Sequence, residues 1–104
     1  MSAQLMRRDA PRFANEDWQD AGPAEMAEAW RGYFGYFGTY SIDTAAHAVI
    51  HHIEGSRFPN LVGTDQLRHY GFEDDKLVLD ADTAWGRVRI VWDKIEAEHS
   101  RPGE

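Results

Sequence analysis

The sequence contains no cysteine, so it can form neither a disulfide framework nor a thiolate zinc site. It also has no excess of positive charge. The 18 acidic against 11 basic side chains give a formal net charge of −7, which repels a phosphate backbone. Long apolar runs are missing as well, and nowhere do about 18 uncharged residues follow one another, as a membrane span requires. We therefore expect a cytoplasmic protein with no nucleic-acid partner and no membrane association.

Aromatic side chains, in contrast, are abundant. The chain has four Trp, four Tyr and five Phe among 104 residues, which is rich for a small domain. Rings in such number are typical of a lined cavity, although an aromatic core is the simpler alternative. The length suits a single domain over residues 1–104, with a polar tail at 96–104 that we expect to fray.

One helix is predicted in the first half of the chain. Residues 9–22 are polar, contain Pro11 and have no clear period, so they predict a long loop. Gly22-Pro23 then opens a helix that we expect to run from about residue 23 to 36, because proline suits a first helical turn. The apolar face of this helix would consist of Met26, Trp30, Tyr33 and Phe37.

Strand character dominates after Gly38, where β-branched and aromatic residues alternate with polar ones. The predicted strands are Ser2–Met6, Thr39–Asp43, Val49–Glu54, Leu61–Phe72, Lys76–Asp80 and Arg87–Ile95. Short turns between consecutive strands favour an antiparallel meander, because parallel pairs need helical crossovers. The predicted fold class is therefore mostly β, an antiparallel meander forming a barrel or half barrel with one α-helix. Six strands are few for a ligand-holding barrel, which uses about eight.

The run His51–Arg68 (HHIEGSRFPNLVGTDQLR) resembles the bacterial lipocalin-like domain family of small calycin-type β-barrels. Residues 1–13 and Tyr36–Tyr40 are similar to that family as well, so the resemblance covers nearly the whole chain. Family members usually carry an additional N-terminal strand pair, which this sequence lacks. The resemblance therefore implies an open edge beside Ser2–Met6, and we expect a homodimer, with exchanged elements as one possibility. Whether the short N-terminus is native or a truncation stays open.

The predicted strand Leu61–Phe72 places Gln66, Arg68 and Tyr70 on one face. That face should turn inward, because Tyr70 and Phe72 are apolar rings. An inward guanidinium at Arg68 needs a carboxylate, carbonyl oxygens or a ligand anion. Arg68 is therefore either a structural tie or the anchor of a ligand carboxylate or enolate.

His51 and His52 are adjacent in a predicted strand, so only one of them can face the pocket. We favour His51, since His52 forms a better solvated pair with Glu54, but the apolar neighbours leave both open. An inward His51 could act as a general acid or base beside Arg68, and these two are the candidate catalytic residues. A hydrogen-bonded histidine without a catalytic role is the simpler alternative.

Further residues are candidates for contact with a ligand because they supply a ring, a hydroxyl or an amide near the predicted pocket. They are Tyr33, Tyr40, His52, Asn60, Gln66, Tyr70 and Trp92. Strand alternation scatters the histidines over both faces, so we expect no metal site. No Gly-rich phosphate loop or nucleophile elbow is present, and we expect no cofactor.

Three functions are compatible with these features. The preferred one is binding of a small hydrophobic or amphipathic molecule in an aromatic-lined pocket. The second is a cofactor-free isomerase, cyclase or lyase in which the inward histidine moves a proton and Arg68 stabilises negative charge. The third is an assembly or interaction protein that has no pocket.

Overall fold

The computed structural model of the protein describes residues 1–83 and 86–95, which form six strands and one α-helix. The strands are β1 (Ser2–Met6), β2 (Tyr33–Asp43), β3 (Ala48–Ser56), β4 (Asp65–Glu73), β5 (Lys76–Thr83) and β6 (Gly86–Trp92). The helix is α1 (Pro23–Arg31), and short 3-10 helices cover Trp18–Asp20 and Pro59–Leu61. The predicted tail at 96–104 lies outside the described residues.

Each strand pairs with the next strand in sequence, in the sheet order β1-β2-β3-β4-β5-β6. The pairs β1–β2, β4–β5 and β5–β6 are antiparallel. The predicted mostly β fold, an antiparallel meander with one helix, is confirmed. A tight turn joins β4 to β5, in which Asp74 and Asp75 have φ angles of 51° and 64°. Two consecutive positive φ values are typical of the two-residue turn that matches the twist of a hairpin.

The helix ends earlier than the sequence predicts. It stops at Arg31, where the backbone N–H of Gly32 donates to the Glu28 carbonyl at 3.0 Å, and β2 begins at Tyr33. The expectation of a helix to about residue 36 is therefore wrong at its end. Pairing with β1, which sets Ala3 opposite Tyr36, provides this segment with strand hydrogen bonds and outweighs its helical spacing.

The strand β4 also begins later than predicted, at Asp65 rather than Leu61. The preceding residues form a 3-10 turn, in which the Thr64 hydroxyl donates to the Leu61 carbonyl at 2.6 Å. Gly63 has a φ angle of 81°, which lies outside the strand region and which glycine adopts readily.

The contacts divide the described chain into two compact units. Unit 1 comprises Met1–Thr39 and His52–Thr64, and unit 2 comprises Tyr40–His51 together with the described residues from Asp65 onward. The core of unit 1 consists of Ala3, Tyr36 and Ile53, with Met1, Phe34 and Leu61 packed against it. The buried residues of unit 2 include Ala48, His51, Val78 and Ala81. The predicted single domain over the whole chain stays a prediction.

Arg57 holds the end of α1 against the start of β2 in unit 1. Its guanidinium carbon lies 3.7 Å from the Trp30 ring centroid and 4.7 Å from that of Phe34. Its Nη1 donates to the carbonyls of Trp30 and Tyr33. A cation at this position also complements the negative end of the helix dipole. Arg57 therefore stabilises the junction between α1 and β2.

Gly38 allows β2 and β3 to approach closely in unit 1. A Cβ at Gly38 would clash with the carbonyl oxygen of His52. Backbone is much harder to displace than a side-chain tip, so this position requires glycine.

Candidate functional site

One face of the three-stranded part β4–β6 of unit 2 is partly buried, although Phe72 and Val88 on the same side are exposed. The register sets Tyr70 opposite Leu79, and Leu79 opposite Ile90. We define the half-buried face by the residues that share this side and are partly or fully buried: Gln66, Arg68, Tyr70, Leu77, Leu79, Ala81, Ile90 and Trp92. This surface is apolar across its centre and carries polar groups on β4.

The opposite face of β4–β6 is largely charged. Ion pairs join Glu73 to Arg89 at 2.6 Å and Lys76 to Asp93 at 2.7 Å. The Glu73 carboxylate raises the pKa of the Arg89 guanidinium by hydrogen bonding and charge. Exposed pairs of this kind contribute little to stability. These charged pairs are exposed, whereas Val78 on the same face is only 3% exposed.

Tyr70 lies in an aromatic group on β4. Its ring stacks on His47, with centroids 5.7 Å apart and planes inclined by 21°, and meets Phe72 edge-on at 6.4 Å. The backbone N–H of Tyr70 donates to the His47 carbonyl at 2.9 Å, which ties β4 to the turn before β3. These contacts fix the orientation of the Tyr70 ring and so pre-form part of the half-buried face.

His51 is the buried histidine of the adjacent pair, with 7% of its surface exposed, whereas His52 is half-buried. The choice of His51 as the residue that faces the pocket, and its catalytic role, stay predictions.

Arg68 is half-buried, and its Nη1 donates to the carbonyl of the preceding residue, Leu67, at 3.0 Å. The guanidinium carries five N–H groups, and this local hydrogen bond engages one of them. Gln66 is half-buried on the same face. The proposed anchoring role of these two residues stays a prediction.

Trp92 lies at the end of β6, opposite Leu77, which in turn lies opposite Phe72. The side chain is half-buried. Its indole Nε1 is fully shielded from solvent and has no hydrogen-bond partner within the described ranges 1–83 and 86–95. A buried donor of this kind needs an explanation, because most such groups are paired in native proteins.

The remaining ligand candidates either belong to unit 1 or are exposed at the surface. Tyr33 and Asn60 belong to unit 1, as does His52. The Tyr33 hydroxyl donates to Gln4 Oε1, and Asn60 is exposed in a 3-10 helix. Tyr40 belongs to unit 2 and is 57% exposed. The structure therefore groups Gln66, Arg68, Tyr70 and Trp92 on one face of β4–β6.

A groove of about 810 Å³ lies in unit 1 between the 7–22 loop and α1, and the sequence did not predict it as a site. Its lining includes Phe13, Trp18 and Tyr33 as rings. Two of its glutamates are engaged: Glu25 accepts from the backbone N–H of Ala14 at 3.0 Å, and Glu28 pairs with Arg7 at 3.2 Å. The one sequence signal was the pair of aromatic residues in an otherwise polar loop.

The described residues also bear on metal binding and on membrane insertion. No group of three or more His, Asp or Glu side chains in this part of the chain is arranged to hold a metal ion. Likewise, none of its helices has the length and apolar character needed to cross a membrane.

Comparison with known proteins assigns the chain to a family. A family model described as "Lipocalin-like domain" matches residues 1–96. A relative from Aspergillus oryzae, named 4'-hydroxy-3'-methoxypropiophenone carrier protein, is 33% identical over 85 residues, which cover 76% of this chain and 77% of the relative. No solved structure matches the chain. The chain thus belongs to the lipocalin-like domain family, as the run His51–Arg68 predicts.

Proposed function

We propose that the protein binds a small hydrophobic or amphipathic molecule on the half-buried face of β4–β6. The observation that carries this proposal is the face itself, an aromatic and aliphatic surface bordered by Gln66 and Arg68. Family membership and a relative named as a carrier protein support it. The relative's name indicates an aryl ketone, and a molecule of that class has the ring and the single polar group that such a face suits.

The apolar centre of the face would supply most of the binding free energy. Tyr70, Leu79 and Ile90 form one row across three strands, and burying apolar surface contributes about 25 cal/mol per Å². A row of three side chains spans about 10 Å, because neighbouring strands lie about 4.8 Å apart. This width suits a single aromatic ring with a short chain.

A pair of adjacent residues on β6 provides the test. Ile90 is on the half-buried face, whereas Val91 is on the opposite face and 52% exposed. We expect Ile90→Ala to weaken binding of propiophenone about tenfold by isothermal titration calorimetry, through lost apolar contact. Val91→Ala should leave the affinity within about twofold. Equal effects of the two substitutions, or no binding by the unmodified protein, would contradict the proposal.

The burial of His51 favours a second candidate function, a cofactor-free isomerase, cyclase or lyase. In this version His51 removes a proton next to a carbonyl group and Arg68 stabilises the enolate. The test is exchange of the α-protons of propiophenone in D₂O, followed by proton NMR. Catalysed exchange that is lost in His51→Gln would support an enzyme, and exchange at the buffer rate would contradict it.

A cytoplasmic homodimer is part of the proposal. The sheet order gives β1 and β6 one neighbouring strand each, and exposed strand edges favour pairing with a second chain. The net charge of −7 supports the absence of a nucleic-acid partner. Light scattering at micromolar concentration should give twice the mass of one chain, and the mass of a single chain would contradict the dimer. A dimer that binds no small molecule would instead favour the assembly function.

A further inference from the structure

Three buried polar side-chain atoms have no hydrogen-bond partner within the described residues, and they are not equivalent. They are Arg57 Nε, Asp80 Oδ1 and Trp92 Nε1. The Arg57 guanidinium donates through Nη1 to two carbonyls, and the second oxygen of Asp80 lies 3.9 Å from Arg87. Trp92 has no second polar atom, so its one hydrogen-bonding group is unsatisfied.

The position of Trp92 connects this unsatisfied donor with the half-buried face. Trp92 lies in the row next to Tyr70, Leu79 and Ile90, since Leu77 is its partner on β5. Rows on one face are two residues apart along a strand, or about 7 Å. A molecule packed against the central row is therefore within reach of the indole ring.

Polar groups thus lie on both sides of the apolar centre. Arg68 precedes Phe72 by four residues on β4, a separation of about 13 Å, and Phe72 belongs to the row of Trp92. Arg68 can donate hydrogen bonds from a charged group at one end, and the indole N–H can donate one neutral bond at the other.

We propose that the indole N–H of Trp92 donates a hydrogen bond to an acceptor oxygen of the bound molecule, such as a carbonyl or ether oxygen. This inference rests on the proposed binding function and adds a requirement to it. The nitrogen is shielded from solvent, so a hydrogen bond to an acceptor forms there without competition from water. A ligand without an acceptor leaves this donor unpaired, as it is in the free protein, and so gains no such bond.

Two probes of the same carbon skeleton test the requirement. Propiophenone carries a carbonyl oxygen, and n-propylbenzene has a methylene group in its place. Isothermal titration calorimetry would measure the affinities of both probes for the wild type and for Trp92→Phe. The ratio of ketone to hydrocarbon affinity should be about fivefold larger in the wild type, because phenylalanine keeps the ring and removes the N–H.

Nitrogen-15 NMR of the wild type gives a second measurement that does not depend on the folding of the variant. The Trp92 indole resonance, identified by selective assignment, should shift downfield with propiophenone and much less with n-propylbenzene. Trp30→Phe is the matched control, since Trp30 is 50% exposed in unit 1, and it should preserve the wild-type ratio.

The possible outcomes separate the two proposals. Binding of propiophenone with an equal affinity ratio in the wild type and Trp92→Phe, or with no shift of the Trp92 resonance, would overturn the inference alone. Failure of both probes to bind the wild type would overturn the proposed function and this inference with it.

Discussion

Unit 1 and unit 2 use their strands differently. In unit 1, the backbone at Gly38 approaches the His52 carbonyl so closely that no side chain fits, and the ring of Phe37 lies over Gly55. In unit 2, Gly71 on β4 has open space around it, and the face of β4–β6 keeps large side chains partly exposed. The backbone of unit 1 is thus closely packed at Gly38 and Gly55, whereas Gly71 in unit 2 has room for a side chain.

Two arginines show the same difference. Arg57 in unit 1 stacks on two rings and donates to two carbonyls, so its side chain is held by the protein. Arg68 in unit 2 is half-buried and donates to the carbonyl of its own neighbour. The ring and carbonyl contacts of Arg57 fit a structural role, and the position of Arg68 beside an apolar face fits the proposed recognition of a ligand.

The largest expected effect concerns the two glycines. Gly38→Ala would place a Cβ against the His52 carbonyl, and we expect it to lower the free energy of unfolding by about 3 kcal/mol. Gly71→Ala is the matched control, because nothing lies within 4 Å of its Cβ position, and it should change stability by less than about 0.5 kcal/mol. Urea denaturation measures both. Similar losses of stability in the two variants would contradict this difference between unit 1 and unit 2.

Removing the arginines should have the next largest effect. We expect Arg57→Ala to lower the free energy of unfolding by about 2 kcal/mol, since it loses two ring contacts and two hydrogen bonds to carbonyls. Arg68→Ala should cost less than about 1 kcal/mol because its described hydrogen bond is local. Thermal unfolding followed by circular dichroism would compare them. A larger loss for Arg68→Ala would show that it is a structural tie.

Two aromatic substitutions distinguish the half-buried face from the groove of unit 1 as the binding site. We expect Tyr70→Ala to weaken propiophenone binding about tenfold, because its ring is fixed on the half-buried face. Trp18→Ala, in the groove of unit 1, should leave the affinity nearly unchanged. The reverse result by calorimetry would move the proposed site to the groove beside α1.

The smallest expected effect is the dependence of stability on pH through the carboxyl group of Asp9. Arg7 lowers the pKa of Asp9 through a hydrogen bond of 3.0 Å and its charge. A carboxyl group with a lowered pKa contributes stability above its ordinary pKa and loses it as the pH falls through the lowered value. Because the pair is exposed, the change should be barely measurable in stability. An NMR titration should show the Asp9 pKa return towards its ordinary value in Arg7→Ala, and an unchanged titration would contradict the pairing.

Much of the fold could be predicted because strand alternation is a local signal. Tyr70 and its neighbours on β4 alternate in the sequence as they do in the sheet, and Glu73-Asp74-Asp75 marks the hairpin turn. The end of α1 could not be predicted, since Trp30, Tyr33 and Phe37 also fit a helical spacing. The segment after Gly32 is a strand because it pairs with β1, which is distant in sequence.

The candidate site was predictable only in part. Alternation groups Gln66, Arg68 and Tyr70 on one face, but the position of Trp92 in the next row depends on the register of two hairpins. The unpaired indole nitrogen follows from packing in three dimensions and leaves no trace in the sequence. The groove depends on the path of the 7–22 loop, for which no periodic pattern exists.

The hairpin turn at Asp74 and Asp75 also bears on how the chain folds. Both residues adopt left-handed backbone angles and close the shortest possible link between two strands. Short loops form quickly, so β4 and β5 can pair before the distant partners β1 and β2 meet. The turn thus lowers the entropic cost of pairing β4 with β5, the two strands that carry Tyr70 and Leu79 on the half-buried face.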